Sequence, residues 1–132
     1  LELVDLGAVV VHRDLDPAMP EVRVDAAQMR RVFVNLLKNA VEAMGGRGEI
    51  TITTRYDPGA DVFRVAIADT GPGIDPAHRD DLFLPYFTTK VDGTGLGLAI
   101  VKHVVTDHRG YVRVRENSPH GAVFEIEVPA HG

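Results

Sequence analysis

The sequence predicts an α+β two-layer sandwich: a mixed, mostly antiparallel sheet of about five strands with helices on one face. Two stretches with helical periodicity alternate with strand-like segments that come largely in pairs. The segments run in the order strand, helix, hairpin, long loop, helix, hairpin. Hairpins pair their strands antiparallel, and helices with one apolar side each cover a sheet from one face.

The first three strands are predicted from β-branched residues and alternation. A β-branched run at residues 9–11 predicts a strand that ends before Pro17. Apolar and polar residues alternate over residues 50–54 and again over residues 62–68, with a turn signal at residues 57–59 between them. The second and third strands are therefore expected to form a hairpin.

The first helix has the strongest pattern in the chain. Asp25 is placed to cap it, and Gln28 follows three residues later, as in a capping box. Apolar residues then recur at helical spacing as far as Met44, and Gly45 and Gly46 end the helix.

The C-terminal half predicts a long loop, a helix and a second hairpin. Residues 70–95 are rich in Gly, Pro, Thr and Asp, with one helical turn expected within residues 76–82. A loop of this length in a small domain is usually functional or disordered. A helix is predicted from about residue 96 to 107, followed by strands around residues 112–114 and 123–128.

Composition bounds the class of protein. The 132 residues are enough for one domain, and 45% hydrophobic with 25% charged residues is ordinary for a globular chain. A net charge of −5 argues against a nucleic-acid partner, and the lack of cysteine excludes disulfides. Because the chain opens in the middle of a pattern at Leu1, we expect residues 1–132 to be one domain of a longer protein.

One face of the first helix carries unusual polar residues. Asn35, Lys38, Asn39 and Glu42 cluster on a helical wheel, roughly opposite the apolar stripe. A solvated face would explain the charged residues alone. Asn is a mediocre helix former, however, and two of them one turn apart suggest a polar site, where amide oxygens can hold Mg²⁺.

Two glycine clusters, residues 69–74 and 93–98, lie on either side of residues 82–90, which we call the lid. Asp69 ends an apolar strand, where its carboxylate can accept a hydrogen bond from an amino group such as adenine N6. The glycines allow a close approach to a flat base. A plain turn remains open as an alternative. An aspartic protease would need a second Asp-Thr-Gly, and the chain has one.

The second glycine cluster leads into a helix. Its spacing is G-x-G-x-G, so it is neither the dinucleotide-binding fingerprint nor a P-loop. Free N–H groups at a helix N-terminus attract anions, which makes a phosphate site possible. A glycine-rich hinge is the alternative.

In this order the motifs resemble the nucleotide-binding boxes of sensor histidine kinases, within the superfamily of gyrase-type, Hsp90-type and MutL-type ATPases. Residues 35–40 match the N box, residues 69–74 the G1 box, residues 82–90 the F box and residues 93–98 the G2 box. The lid sequence is similar to that of the nitrogen-regulation branch. The resemblance covers about residues 20–129.

The resemblance implies a Bergerat-type ATP-binding fold with ATP and Mg²⁺ as cofactors. It makes Asn39 the Mg²⁺ ligand, places Asn35 beside the phosphates and has Asp69 recognise the base. Lys38 is added as a tentative source of positive charge, and Asn35 and Lys38 are the tentative catalytic residues. The full set of expected nucleotide contacts is Asn35, Lys38, Asn39, Asp69, Gly71, Gly73, Ile74, Phe87, Thr88, Thr89, Lys90, Gly93, Thr94, Gly95, Leu96, Gly97 and Leu98.

The implied activity is transfer of the γ-phosphate of ATP to a histidine. That histidine is expected on a separate helical domain of the same parent protein, since no histidine of this chain fits the phosphoacceptor pattern. A response regulator is the indirect partner, the parent is expected to be a homodimer, and the domain is expected to be cytoplasmic whether or not the parent has a membrane anchor.

Three other functions stay open. A hydrolytic ATPase of the gyrase or MutL type has a Glu general base where this chain has Asn35, and an amide cannot take a proton. A serine kinase of the anti-sigma-factor group shares the fold. A non-catalytic nucleotide-binding module is kept open by Glu42, where many relatives have Lys or Arg, and by Ala122, where the family usually has Thr.

Overall fold

A computed structural model describes residues 7–17, 25–85 and 97–130. The elements are strand β1 (Ala8–Asp14), helix α1 (Ala26–Ala43), strands β2 (Arg47–Asp57) and β3 (Val62–Asp69), a short 3₁₀ helix (Pro76–Asp81), helix α2 (Gly97–Asp107), and strands β4 (Tyr111–Glu116) and β5 (Ala122–Pro129). Every predicted element is present in the predicted order.

The five strands form one sheet in the order β1-β2-β3-β5-β4. β1 runs parallel to β2, and the other neighbouring pairs are antiparallel. The expected mixed, mostly antiparallel sheet is therefore confirmed. β3 is the central strand, and its last residue, Asp69, pairs with Ile50 of β2.

The core lies between the helices and one face of the sheet. Along β3, Phe63, Val65 and Ile67 are buried and alternate with half-buried residues. Asp69 is the next position of the same alternation, so the strand directs this carboxylate to the side that packs against the helices. The fully buried part of the core is contributed by both helices and the inner strands, and includes Val32, Leu36, Ile50, Val101, Val105, Phe124 and Ile126.

The start of α1 is fixed by two contacts, only one of which was predicted. Asp25 Oδ1 accepts a hydrogen bond from the backbone N–H of Gln28 at 3.1 Å, as expected of an N-cap. The reciprocal half of the capping box is absent from the described contacts, because the N–H of Asp25 instead donates to His108 Nε2 at 3.0 Å. The other ring nitrogen of His108 lies 2.9 Å from the carbonyl of Val104. Since a carbonyl only accepts, this histidine is held as the neutral tautomer that carries its proton on Nδ1.

The end of α1 brings the helix against the loop that follows β3. Gly45 and Gly46 both have positive φ, and the N–H of Gly46 bonds to the carbonyl of Val41 at 2.9 Å. The glycine stop that the sequence predicts is thus confirmed. Just before it, Met44 Sδ lies 3.4 Å from the backbone nitrogen of Thr70.

Helices α1 and α2 both contribute buried side chains to the core. None of the helices in the described ranges is long and apolar enough to cross a membrane.

Candidate functional site

Asp69 is a buried carboxylate with one oxygen engaged. Its side chain is 2% exposed, and Oδ1 accepts hydrogen bonds from the N–H of Gly71 at 2.9 Å and of Ala122 at 3.1 Å. Within the described part of the chain, no group donates to Oδ2. A ligand that presents an amino group would supply the missing donor, which is the chemistry that an adenine ring offers.

Burial raises the pKa of Asp69, and the hydrogen bonds from Gly71 and Ala122 offset this only in part. Removal of water from a charged carboxylate without a compensating partner is unfavourable. The raised pKa of Asp69 therefore reflects burial that the two backbone donors do not fully offset.

The loop after Asp69 passes close to its neighbours at two glycines. A Cβ on Gly71 would lie 3.2 Å from the carbonyl oxygen of Ala43 at the end of α1. Gly73 has φ of +83°, and a Cβ there would lie 3.1 Å from the carbonyl oxygen of Gly121. Both glycines therefore shape the wall of the site, and Ile74 beyond them packs against the core.

The four polar residues on this face of α1 differ in how far they are exposed. Lys38 and Glu42 are exposed, whereas Asn35 and Asn39 are partly buried. A helical wheel places all four residues roughly opposite the apolar stripe. It cannot distinguish the exposed pair from the partly buried pair, because it shows one helix and not the packing of α2 beside it.

Asn35 lies at the junction of α1 and α2. Its Nδ2 donates to the carbonyl of Arg31 one turn earlier, at 2.9 Å. Its Oδ1 faces the first residue of α2, since a Cβ on Gly97 would lie 3.2 Å from it. The last glycine of the second cluster thus lets the N-terminus of α2 pack over Asn35.

Helix α1 connects the two ends of the site. The Asp69 loop touches it at Ala43 and the start of α2 touches it at Asn35. These contacts are eight residues apart, or about 12 Å along a helix axis. Asn39 lies midway between them. The structure therefore places Gly71 against the C-terminal end of α1 and Gly97 against its middle, with Asn39 between the two contacts along the helix.

Eight of the predicted nucleotide contacts fall outside the described ranges. Phe87, Thr88, Thr89, Lys90, Gly93, Thr94, Gly95 and Leu96 lie outside the described residues. Leu98, in the first turn of α2, packs against the core.

The beginning of the lid is anchored on the core. The ring of Phe83 packs edge-on against Phe124, with ring centroids 6.2 Å apart, and Lys102 Nζ of α2 lies 5.9 Å from the Phe83 ring centre. This aromatic contact holds the first residues of the lid on the core.

The β4–β5 turn, residues 117–121, belongs to the site although its sequence predicted only a turn. Asn117 Nδ2 donates to the carbonyl of Asp69 at 2.7 Å, and His120 Nδ1 lies 3.1 Å from the carbonyl oxygen of Gly71. Ala122 contributes its backbone N–H to Asp69, a contact that any residue type except proline could make. Alanine at position 122 therefore does not disturb this hydrogen bond. In the sequence, the polar residues of the turn are the only indication that it belongs to the site.

The described residues contain no group of three or more His, Cys, Asp or Glu side chains that could hold a metal ion. A magnesium ion at Asn39 would therefore take most of its ligands from phosphate oxygens and water. That arrangement fits the habit of Mg²⁺ in nucleotide sites, and one partly buried amide is compatible with it.

Comparison with protein families gives a match over most of the chain. Residues 24–132 match the family described as histidine kinase-, DNA gyrase B-, and HSP90-like ATPase.

Curated relatives are sensor kinases. Sensor histidine kinase ZraS from Salmonella typhi is 39% identical over 111 residues, which is 84% of this chain and 24% of ZraS. Sensory histidine kinase/phosphatase NtrB from Rhodobacter capsulatus is 37% identical over 138 residues, covering 96% of this chain and 39% of NtrB. The chain thus spans between a quarter and two fifths of these relatives. NtrB confirms the resemblance to the nitrogen-regulation branch.

Solved structures agree in fold. The catalytic domain of histidine kinase ThkA superposes with a TM-score of 0.83 at 35% identity, over 93% of this chain and 80% of that one. ThkA in complex with the response regulator protein TrrA matches with a TM-score of 0.77 at 31% identity, over 92% of this chain and 34% of that one. The two-layer fold expected from the sequence is therefore confirmed.

Proposed function

This chain belongs to the family of histidine kinase-, DNA gyrase B-, and HSP90-like ATPases, and we propose that it is the ATP-binding catalytic domain of a longer sensor histidine kinase. In that parent it holds ATP with Mg²⁺ and presents the γ-phosphate to a histidine on a separate helical domain. A response regulator then receives the phosphoryl group. We further propose that the parent is a homodimer and that the domain works in the cytoplasm.

One observation carries the nucleotide assignment: the half-satisfied carboxylate of Asp69. Oδ1 is saturated by two backbone N–H groups while Oδ2 is left for a donor on the ligand. The exocyclic amino group of adenine is such a donor, whereas guanine presents a carbonyl oxygen at the equivalent position. The site therefore favours adenine over guanine.

The phosphate end is assigned to α1 and the start of α2. Asn39 would hold Mg²⁺ through its amide oxygen, and the metal when bound supplies charge neutralisation to the phosphates. Asn35 packs against Gly97 at the N-terminus of α2, where free backbone N–H groups would bind the phosphates. Lys38 is exposed on the same side of α1 and adds a positive charge. These residues position the phosphates rather than break bonds.

Asn35 argues against the hydrolytic alternative. An amide cannot accept a proton from water, and here its nitrogen is already engaged with the carbonyl of Arg31. The curated relatives above are named as sensor histidine kinases rather than as serine kinases. Transfer to a histidine is therefore the function that the site supports best.

The experiment has two stages. Calorimetric titration of the chain with ATP and Mg²⁺ is expected to give one binding site, which Asp69→Ala removes while the circular dichroism spectrum is retained. The chain is then mixed with radiolabelled ATP and a separately prepared helical domain that carries a phosphoacceptor histidine, and that histidine is expected to become labelled.

Two results would overturn the proposal. Continuous release of inorganic phosphate by the chain alone, without transfer, would make it a hydrolytic ATPase. Nucleotide binding with neither transfer nor phosphate release would make it a non-catalytic nucleotide-binding module. A matched acceptor domain with its histidine replaced by alanine controls for labelling at other residues.

A further inference from the structure

We infer that Asn117, in the turn between β4 and β5, is a positioning residue that fixes the orientation of the Asp69 carboxylate toward the base. The inference rests on the proposed function, since it concerns the same nucleotide site. It adds a residue that touches no ligand and that lies far from the recognisable nucleotide motifs in the sequence.

Asn117 uses its side chain and its backbone to join the turn to the end of β3. Nδ2 donates to the carbonyl of Asp69 at 2.7 Å, and the backbone N–H donates to the carbonyl of Gly121 at 3.0 Å. Oδ1 accepts the N–H of Ser118 at 3.0 Å. Both polar atoms of the amide are therefore engaged, which holds the side chain in one orientation.

The same turn controls both donors to Asp69 Oδ1. One donor is the N–H of Ala122, the residue that follows the turn. The other is the N–H of Gly71, whose carbonyl oxygen lies 3.1 Å from Nδ1 of His120. A displacement of the turn would consequently alter both hydrogen bonds that set the rotation of the carboxylate.

The approach of the turn to Asp69 is very close. Gly121 has φ of +114°, and a Cβ there would lie 2.0 Å from the carbonyl oxygen of Asp69. Only glycine permits this separation. The carbonyl that Gly121 approaches is the one that Asn117 binds, so the amide holds the turn at the distance at which Ala122 can reach Oδ1.

This geometry has a consequence for selectivity. With Oδ1 held by two N–H groups, Oδ2 points in one direction and can accept from an exocyclic amino group. Without these two hydrogen bonds the carboxylate is free to rotate, and part of the preference for a base with that amino group is lost. A hydrogen bond to a charged group typically contributes a factor of about ten to one hundred in affinity.

The experiment compares ATP with purine riboside 5′-triphosphate, which lacks the exocyclic amino group. Calorimetry on the unaltered chain is expected to show a clear preference for ATP. In Asn117→Asp, where a carboxylate oxygen replaces the donor to Asp69, we expect that preference to fall about tenfold. Asn117→Ser, which keeps a shorter donor, should give an intermediate value. Ser118→Ala is the matched control in the same turn and should behave as the unaltered chain.

The possible results distinguish a failure of the proposed function from a failure of the role of Asn117. If the unaltered chain binds neither nucleotide, the proposed function fails. If it prefers ATP and both Asn117 variants, folded by circular dichroism, keep the full preference, the positioning role of Asn117 is wrong. A merely structural role would lower the melting temperature while leaving the ratio of the two affinities unchanged. If Asn117→Asp does not fold, Asn117→Ser decides.

Discussion

The proposed base end and the proposed phosphate end of this site are built in opposite ways. At the base end, Asp69 is buried, its Oδ1 is saturated by backbone donors, and glycines bring the surrounding chain into close contact. At the phosphate end, Asn35 and Asn39 are only partly buried and Lys38 is exposed.

This contrast is what we expect if one end recognises the base and the other binds the phosphates. A carboxylate that must select one base gains from a fixed orientation, because backbone groups in a packed loop cannot rearrange. Groups that handle charged phosphates gain from access to water and metal. Substitutions at the base end should therefore change stability and binding together, whereas those at the phosphate end should change binding alone.

The largest effect is expected from Gly121→Ala. Its new methyl group would overlap the carbonyl of Asp69, and φ of +114° adds strain. We expect the free energy of unfolding, measured in denaturant, to fall by about 3 kcal/mol with loss of nucleotide binding. Gly45→Ala is the control: it also has positive φ but has open space around it, and should cost about 1 kcal/mol. Equal losses would show that close packing at the base end is unimportant.

Asp69→Asn should change both binding and stability, but in opposite directions at neutral pH. Affinity for ATP is expected to fall about tenfold to a hundredfold, because the acceptor at Oδ2 becomes a donor. Burial raises the pKa of Asp69, so the folded state holds the proton more tightly than the unfolded state. The stability that this confers is complete below the ordinary carboxyl pKa and is lost as the pH rises through the raised pKa.

Asparagine does not ionise, so the variant does not lose this stability as the pH rises. At neutral pH the variant should be more stable than the unaltered chain, and the difference should close as the pH is lowered below the ordinary carboxyl range. Thermal unfolding at a series of pH values measures this. A variant less stable than the unaltered chain at neutral pH would contradict a desolvation cost for the charged form of Asp69.

Asn39→Ala tests the phosphate end. Mg²⁺ should no longer strengthen ATP binding, a loss of about tenfold or more in the presence of the metal. The melting temperature should stay close to that of the unaltered chain because the side chain is only partly buried. Asn39→Asp, which keeps an oxygen ligand, is the control that should retain the Mg²⁺ response. An unchanged Mg²⁺ titration in the alanine variant would remove Asn39 from the metal site.

His108→Ala should have the smallest effect and leave nucleotide affinity unchanged, since its contacts lie outside both ends. It removes the bonds to Asp25 and Val104 and should lower stability by about 1 kcal/mol. His103→Ala, which removes only an exposed pair with Asp107, should be near neutral. Indistinguishable melting temperatures for the two variants would show that the link between α1 and α2 contributes nothing.

Local patterns predict most of this fold and about half of the site. The cap, the spacing and the glycine stop define α1, and alternation along β3 places Asp69 on the core side. Contacts between distant residues have no such signal. Asn117 and Asp69 are 48 residues apart and Asp25 and His108 are 83 apart. The parallel pairing of β1 with β2 also depends on packing and not on local preference.

The most direct test of the central claim is amide chemical-shift mapping of the isotope-labelled chain with ATP and Mg²⁺. One titration is expected to perturb two groups of backbone amides together. The first group is Gly71 and Ala122 around Asp69, and the second is Asn39 and Gly97. Perturbation of only one group, or of neither, would contradict a single nucleotide site that extends along α1.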